Sequence, residues 1–140
     1  NIYNDGTGAS VLTGGRRFSD SCSTDIFIHM DGQEVFKFAV KSVPTAIETL
    51  LHNNNMDVND VDKFILHQAN VRIIESVAKR LKADKDKFPV NLNEYGNTSS
   101  ASIPILLDEL NRNGSLKQGE KLVLAGFGAG LSWGSILLVW

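Results

Sequence analysis

The sequence predicts an α/β domain, and three observations predict it. Strand-like runs alternate with helical periodicities in the order β, β, α, β, α, α, β, β, the pattern of a layered α/β structure. Several of the strand runs are apolar throughout, as expected when a sheet is covered on both faces. The chain has 140 residues, 42% apolar and 21% charged, which suits one domain with one core.

Each element has its own local reason. Gly6, Gly8, Gly14 and Gly15 bracket Ala9-Ser10-Val11-Leu12, a short buried-strand candidate. Arg16 to Thr24 is polar and reads as a loop. Asp25 to His29 is a second strand candidate, ended by the turn dipeptide Asp31-Gly32. From Glu34 to Asn53 the pattern is helical, with Val35, Phe38, Ala39, Val43, Ile47, Leu50 and Leu51 at spacings of three and four. Pro44 interrupts this run and predicts a kink or two abutting helices. Lys63-Phe64-Ile65-Leu66 is a short strand. Asn70 is a helix N-cap, followed by the stripe Val71, Ile74, Ala78 and Leu81, with Arg72, Lys79, Arg80 and Lys82 off it. Phe88-Pro89-Val90 resets the chain. A third helix runs from about Ser99 to Asn113 with Ile103, Leu106, Leu107 and Leu110 on one face, and Gly114 suits the position after its end. Lys121 to Ala125 and Ser135 to Val139 read as two final strands around a glycine-rich loop, Gly126 to Gly134. No short internal repeat or linker is visible.

Composition excludes several classes. A net charge of −2 argues against general nucleic-acid binding, which needs a basic surface to displace counterions. No apolar run approaches membrane-spanning length, and no signal-peptide pattern opens the sequence. One cysteine, Cys22, cannot form an internal disulfide, so a cytoplasmic location is expected. Asn1-Ile2-Tyr3-Asn4-Asp5-Gly6 has no Met and reads as chain already in progress, which suggests a fragment.

Three polar or glycine-rich islands carry the candidate chemistry. His67 stands where a buried strand ends, a common place for functional groups in open α/β sheets. The competing reading is a histidine hydrogen-bonded to its own turn. Asn97 follows Gly96 and precedes Thr98-Ser99-Ser100-Ala101-Ser102, where an ordinary cap or turn competes with a functional amide. The small residues there would let the following helix approach something closely. Gly126 to Gly134 reads either as a hairpin loop or as backbone shaped for a ligand, whose N–H groups can stabilise an oxyanion. Phe127 and Trp133 either close a cavity there or simply pack. Cys22 lies in a polar loop without the helix start or cation that lowers a thiol pKa. His29, His52 and Cys22 lack metal-ligand spacing, so no metal site is expected, and Asp5-Gly6-Thr7-Gly8 lacks the context of a phosphate loop.

Taken together, these segments resemble β-ketoacyl-acyl carrier protein synthase III, of the thiolase-like superfamily. The resemblance spans Asp5-Gly6-Thr7-Gly8-Ala9 to Trp140 and includes Gly32-Gln33-Glu34-Val35-Phe36-Lys37, His67-Gln68-Ala69-Asn70-Val71-Arg72, Gly96-Asn97-Thr98-Ser99 and Phe127-Gly128-Ala129-Gly130-Leu131-Ser132-Trp133-Gly134. It implies a thiolase-like half-domain, a mixed sheet of about five strands covered by helices, with residues 1–140 forming the C-terminal domain. It also implies a Cys-His-Asn triad in which His67 and Asn97 match the His and Asn, while the nucleophilic Cys belongs to an N-terminal half outside this sequence. Cys22 does not match that nucleophile.

The implied reaction is a decarboxylating Claisen condensation of an acyl-CoA primer with malonyl-acyl carrier protein, and no cofactor is implied. His67 and Asn97 would hydrogen-bond the enolate oxygen, His67 through Nε2–H. The loop Gly128, Ala129 and Gly130 would supply a backbone donor, at Ala129, to a second oxyanion hole. Arg72, Lys79 and Arg80 match a basic face that docks the acidic carrier protein, and Lys37 would extend it. Residues 72 and 79 are seven apart (79 − 72 = 7) and share a helix face. The implied partners are acyl carrier protein, acyl-CoA, the N-terminal half and a second copy in a homodimer. The isolated chain is expected to be inactive. The competing readings are a non-catalytic carrier-protein-binding module, one subunit of a split condensing enzyme, and catalysis by Cys22 itself.

Overall fold

A computed structural model describes residues 1–14 and 27–140. Cys22, the predicted loop at 16–24 and the predicted strand start at Asp25 lie outside the described residues. Four strands form the main sheet in the order β1-β6-β5-β4: β1 Ile2–Asn4, β4 Lys63–Leu66, β5 Lys121–Gly128 and β6 Ser132–Val139. β4 and β5 are parallel, with Leu66 opposite Ala125. β6 is antiparallel to both β5 and β1. β2 Leu12–Gly14 and β3 Ile28–Met30 pair separately as a two-stranded ribbon. The sheet is therefore mixed, as expected, with four strands among the described residues where about five were expected. The predicted strand at Ala9–Leu12 shifts to Leu12–Gly14, because Gly6–Gly8 is a 3₁₀ turn capped by Asp5.

The apolar strands are apolar because they are covered twice. Phe64, Leu66, Val123 and Ala125 face a core built with α1 Gly32–Asn53 and α2 Val71–Leu81. Ile65, Leu122 and the half-buried Leu124 and Leu138 face Leu106, Leu110 and Leu116 on the side of α4 Ser102–Arg112. The period of two sends alternate residues to each layer. α1 starts at Gly32, where the Asp31 carboxylate accepts from the N–H groups of Gln33 and Glu34. It runs through Pro44 as one helix and not as two. An internal proline costs roughly 3 kcal/mol, whereas burying each of Val35, Val43, Ile47, Leu50 and Leu51 contributes about 1.5–3 kcal/mol.

α2 begins after Asn70, whose side chain accepts from Arg72 N–H at 2.8 Å, as the cap prediction requires. It buries Ile73, Ile74, Val77, Ala78 and Leu81, and leaves Val71 exposed. A short helix, α3 Leu92–Tyr95, has no counterpart in the sequence reading. The helix predicted from Ser99 is a 3₁₀ turn at Ser99–Ala101 followed by α4, and Gly114 takes φ +73° just past its end.

Candidate functional site

β4 and β5 are parallel, and His67 stands at the end of β4. His67 extends β4 by one residue, its N–H donating to the Ala125 carbonyl at 2.8 Å. Its Nδ1 lies 2.7 Å from Ser102 Oγ at the start of α4, and Phe127 of β5 packs edge-on against the ring at 5.3 Å. Burial holds the His67 pKa below the ordinary imidazole value, so the ring is neutral at pH 7. Nε2 has no protein partner among the described residues.

The next residue explains why the turn is rigid. Gln68 is fully buried. Its Nε2 donates to the Leu66 carbonyl at 2.8 Å and its Oε1 accepts from Asn91 N–H at 3.3 Å. Asn91 in turn donates through Nδ2 to Glu109 of α4 at 2.8 Å. Gln68 N–H reaches Ser102 Oγ at 3.2 Å. The sequence gives no role to Gln68 or Asn91, and marks Ser102 only as one of a run of small residues. The only local signal was a polar residue wedged between a buried strand and a helix cap.

Asn97 lies on the segment that leads into Ser102, and it is placed in a different way. Gly96 has φ +65° and ψ −156°, a conformation that only glycine adopts readily, and Asn97 follows it. Its side chain accepts from Ser99 N–H at 2.9 Å. A backbone N–H can only donate, so the accepting atom is Oδ1, and Nδ2 is left without a protein partner among the described residues. The side chain is exposed, so the turn reading and a functional amide coexist: one atom shapes the turn and the other is open. Ser102 links this segment to His67; of the small-residue run it alone is buried, while Ser99, Ser100 and Ala101 are exposed.

The glycine-rich segment is mostly strand and not loop. β5 runs to Gly128 and β6 starts at Ser132, so only Ala129, Gly130 and Leu131 turn. The ladder needs Gly134 because β1 passes so close that a Cβ there would lie 2.8 Å from the Asn1 carbonyl oxygen. Ile103 of α4 packs over Gly126. Trp133 stacks on Tyr3 at 5.5 Å and meets Phe38 edge-on, so it packs, while Phe127 borders His67. A groove lined by Tyr3, Lys41, Thr45, Thr49 and Trp133 lies against α1, and neither His67 nor Asn97 lines it.

Arg72, Lys79 and Arg80 are exposed on α2 and form no ion pair among the described residues. Lys37 on α1 is paired with Glu34 at 2.7 Å, and that hydrogen bond raises its pKa. Among the described residues, no group of three His, Cys, Asp or Glu side chains could hold a metal ion, and no helix is long and apolar enough to cross a membrane.

Residues 51–140 match the family model described as 3-oxoacyl-[acyl-carrier-protein (ACP)] synthase III C terminal. The chain belongs to that family. Similar curated proteins include the beta-ketoacyl-[acyl-carrier-protein] synthase III of Clostridium tetani, 54% identical over 81% of this chain and 34% of that protein. The synthase III of Pyropia yezoensis is likewise 54% identical, over 81% of this chain and 35% of that protein. Among solved structures, the synthase III of Aquifex aeolicus superposes with a TM-score of 0.90 at 38% identity, covering all of this chain and 43% of that one. That of Pseudomonas aeruginosa reaches 0.92 at 34% identity, covering all of this chain and 43% of that one. The chain thus spans about a third of the length of the curated relatives it matches. These synthase III structures share its thiolase-like fold.

Proposed function

We propose that this chain supplies the enolate-stabilising half of a ketoacyl synthase III site, with residues 1–140 as its C-terminal domain. One observation carries the reading. Two side-chain nitrogens without protein partners, His67 Nε2 and Asn97 Nδ2, are held on segments tied together through Ser102. In this reading the two donors converge on an oxygen that gains negative charge.

In the proposed reaction, a cysteine from outside residues 1–140 attacks an acyl-CoA thioester, forming an acyl-cysteine and releasing CoA thiol. Malonyl-acyl carrier protein then loses CO₂, and the electron pair of the broken bond becomes an enolate. His67 and Asn97 hydrogen-bond its oxygen. The enolate carbon attacks the acyl carbon, the cysteine leaves as thiolate, and a 3-oxoacyl thioester remains on the carrier. Gly128, Ala129 and Gly130 shape the turn whose Ala129 N–H serves the acylation oxyanion. A neutral His67 suits a hydrogen-bond donor that does not have to give up a full charge. The acidic carrier docks on Arg72, Lys79 and Arg80, with Lys37 at the margin because Glu34 already offsets its charge. The native assembly is a homodimer in the cytoplasm and uses no cofactor.

The test uses the enzyme assembled with the cysteine-bearing segment. His67→Ala and Asn97→Ala should each lower malonyl-carrier decarboxylation by roughly 10²–10³-fold. Rates within tenfold of the parent would overturn the assignment. The double change Arg72→Glu, Lys79→Glu should raise KM for the malonyl-carrier with kcat nearly kept. The chain by itself should turn nothing over, since the pocket that excludes water needs both parts.

A further inference from the structure

We infer that Ser102 is a positioning residue that sets the tautomer of His67, holding the imidazole proton on Nε2. The inference deepens the proposed function, and its physical basis does not depend on catalysis. Ser102 is 2% exposed, so water does not serve its hydroxyl. A hydroxyl has one hydrogen to give and two lone pairs to offer. One lone pair is taken by Gln68 N–H at 3.2 Å, and a backbone N–H cannot accept in return. Among the described residues, the hydroxyl's one remaining partner is His67 Nδ1, at 2.7 Å. The hydrogen therefore points to Nδ1, Nδ1 is an acceptor, and the ring proton sits on Nε2.

The other tautomer fails by the same count. A proton on Nδ1 would aim two N–H groups, from His67 and Gln68, at one oxygen. The hydroxyl hydrogen would then be buried with nothing to meet. The two lone pairs could take both N–H groups, so it is the stranded hydroxyl hydrogen that decides against this tautomer. Ser102 thus turns the rigidity of the Gln68 turn into a choice between two nitrogens of His67. The nitrogen left as donor is the one with no protein partner.

The test is nitrogen-15 NMR of the imidazoles in this chain without substrate, at about pH 8, where His67, its pKa lowered by burial, is neutral. His67→Gln assigns the His67 signals against those of His29 and His52. Wild type should show the Nε2–H pattern. Ser102→Ala should raise the ratio of Nδ1–H to Nε2–H about tenfold or more, since a buried hydroxyl hydrogen no longer selects. Ser102→Thr keeps the hydroxyl and should restore the wild-type pattern. A wild-type ring protonated on Nδ1 would overturn the inference even if Ser102→Ala fails to fold. An unchanged ratio in a folded Ser102→Ala would overturn it too. A failed condensation assay with a wild-type Nε2–H pattern would sink the proposed reaction and leave the role of Ser102 standing.

Discussion

Two connections deliver the candidate residues, and they are built in opposite ways. The turn between β4 and α2, Leu66 to Val71, is held by side-chain hydrogen bonds: Gln68 is fully buried and satisfied at both ends of its amide. Among the described residues, the long-range hydrogen bonds of the connection from Asn91 to Ser102 lie at its ends, from Asn91 to Gln68 and Glu109 and from Ser102 to the His67 turn. Between those anchors it is largely exposed and shaped by backbone, with positive φ at Gly96 and Ser99. The difference teaches that His67 arrives pre-set by buried polar contacts, whereas Asn97 is placed by a glycine. Damage to the first should appear mainly as lost stability. Damage to the second should separate backbone cost from lost function.

The largest effect should come from Gln68→Met, which keeps length but strands the Leu66 carbonyl and the Asn91 N–H. Leaving buried groups unpaired should cost about 2–4 kcal/mol, read as a lower urea midpoint and a Tm lower by about 10 °C. A loss below about 1 kcal/mol would mean that the turn is not held as described.

Gly96→Ala comes next. No atom lies within 4 Å of the added Cβ, so its cost is purely conformational. The φ and ψ values place it where a side chain is strained by roughly 1–3 kcal/mol. Asn97→Ala, its neighbour, removes only one exposed turn hydrogen bond and should change stability by no more than about 1 kcal/mol. A Gly96→Ala Tm equal to that of the parent would erase the contrast between the two connections.

What could be read from the sequence follows the same division. β4, α2, the Asn70 cap and the Gly114 terminus were legible because each is written in adjacent residues: an apolar run, a stripe, an N-cap, a glycine with positive φ. The glycines from Gly126 to Gly134 misled because glycine reads as loop. Gly134 is there because β1, more than a hundred residues earlier, passes against it. The network of Gln68, Asn91 and Ser102 joins residues 23 to 35 positions apart, and no local period records such contacts. His67 and Asn97 stood out by position, and the resemblance alone gave them roles. Taken singly, each looked as much like a turn residue as a functional one, and for Asn97 Oδ1 that reading also holds.

Asn70→Ala sharpens the comparison at the next level down. Asn70 closes the His67 turn by capping α2, and its loss should cost about 1 kcal/mol, seen as a Tm drop of a few degrees. Because Gln68 and not the cap fixes the turn, the His67 NMR signals should stay where they are. A large shift of the imidazole resonances would show that the cap, rather than the buried amide, positions the ring.

The smallest effect concerns protons. Burial lowers the folded pKa of His67, and its ring contacts, Ser102 and Phe127, carry no charge to offset that. Unfolded, the imidazole titrates near 6.5. Between the folded value and about 6.5 the unfolded chain binds more protons, so stability rises with pH through that window. Read downward, stability contributed by the neutral ring is intact above about 6.5 and is lost as pH falls toward the folded pKa. His67→Gln has no such group. Carboxylates, including Glu120 with its pKa lowered by Lys63, titrate in both proteins and cancel in the difference. Urea unfolding at pH 7.5 and pH 5.5 should therefore show the wild type losing more stability than His67→Gln, by less than about 1.4 kcal/mol per pH unit, the limit for one proton. Parallel profiles would mean the ring is as well solvated folded as unfolded. A wild type that gained stability on acidification would mean that a negative charge reaches His67, and the neutral donor assigned to the site would have to be given up.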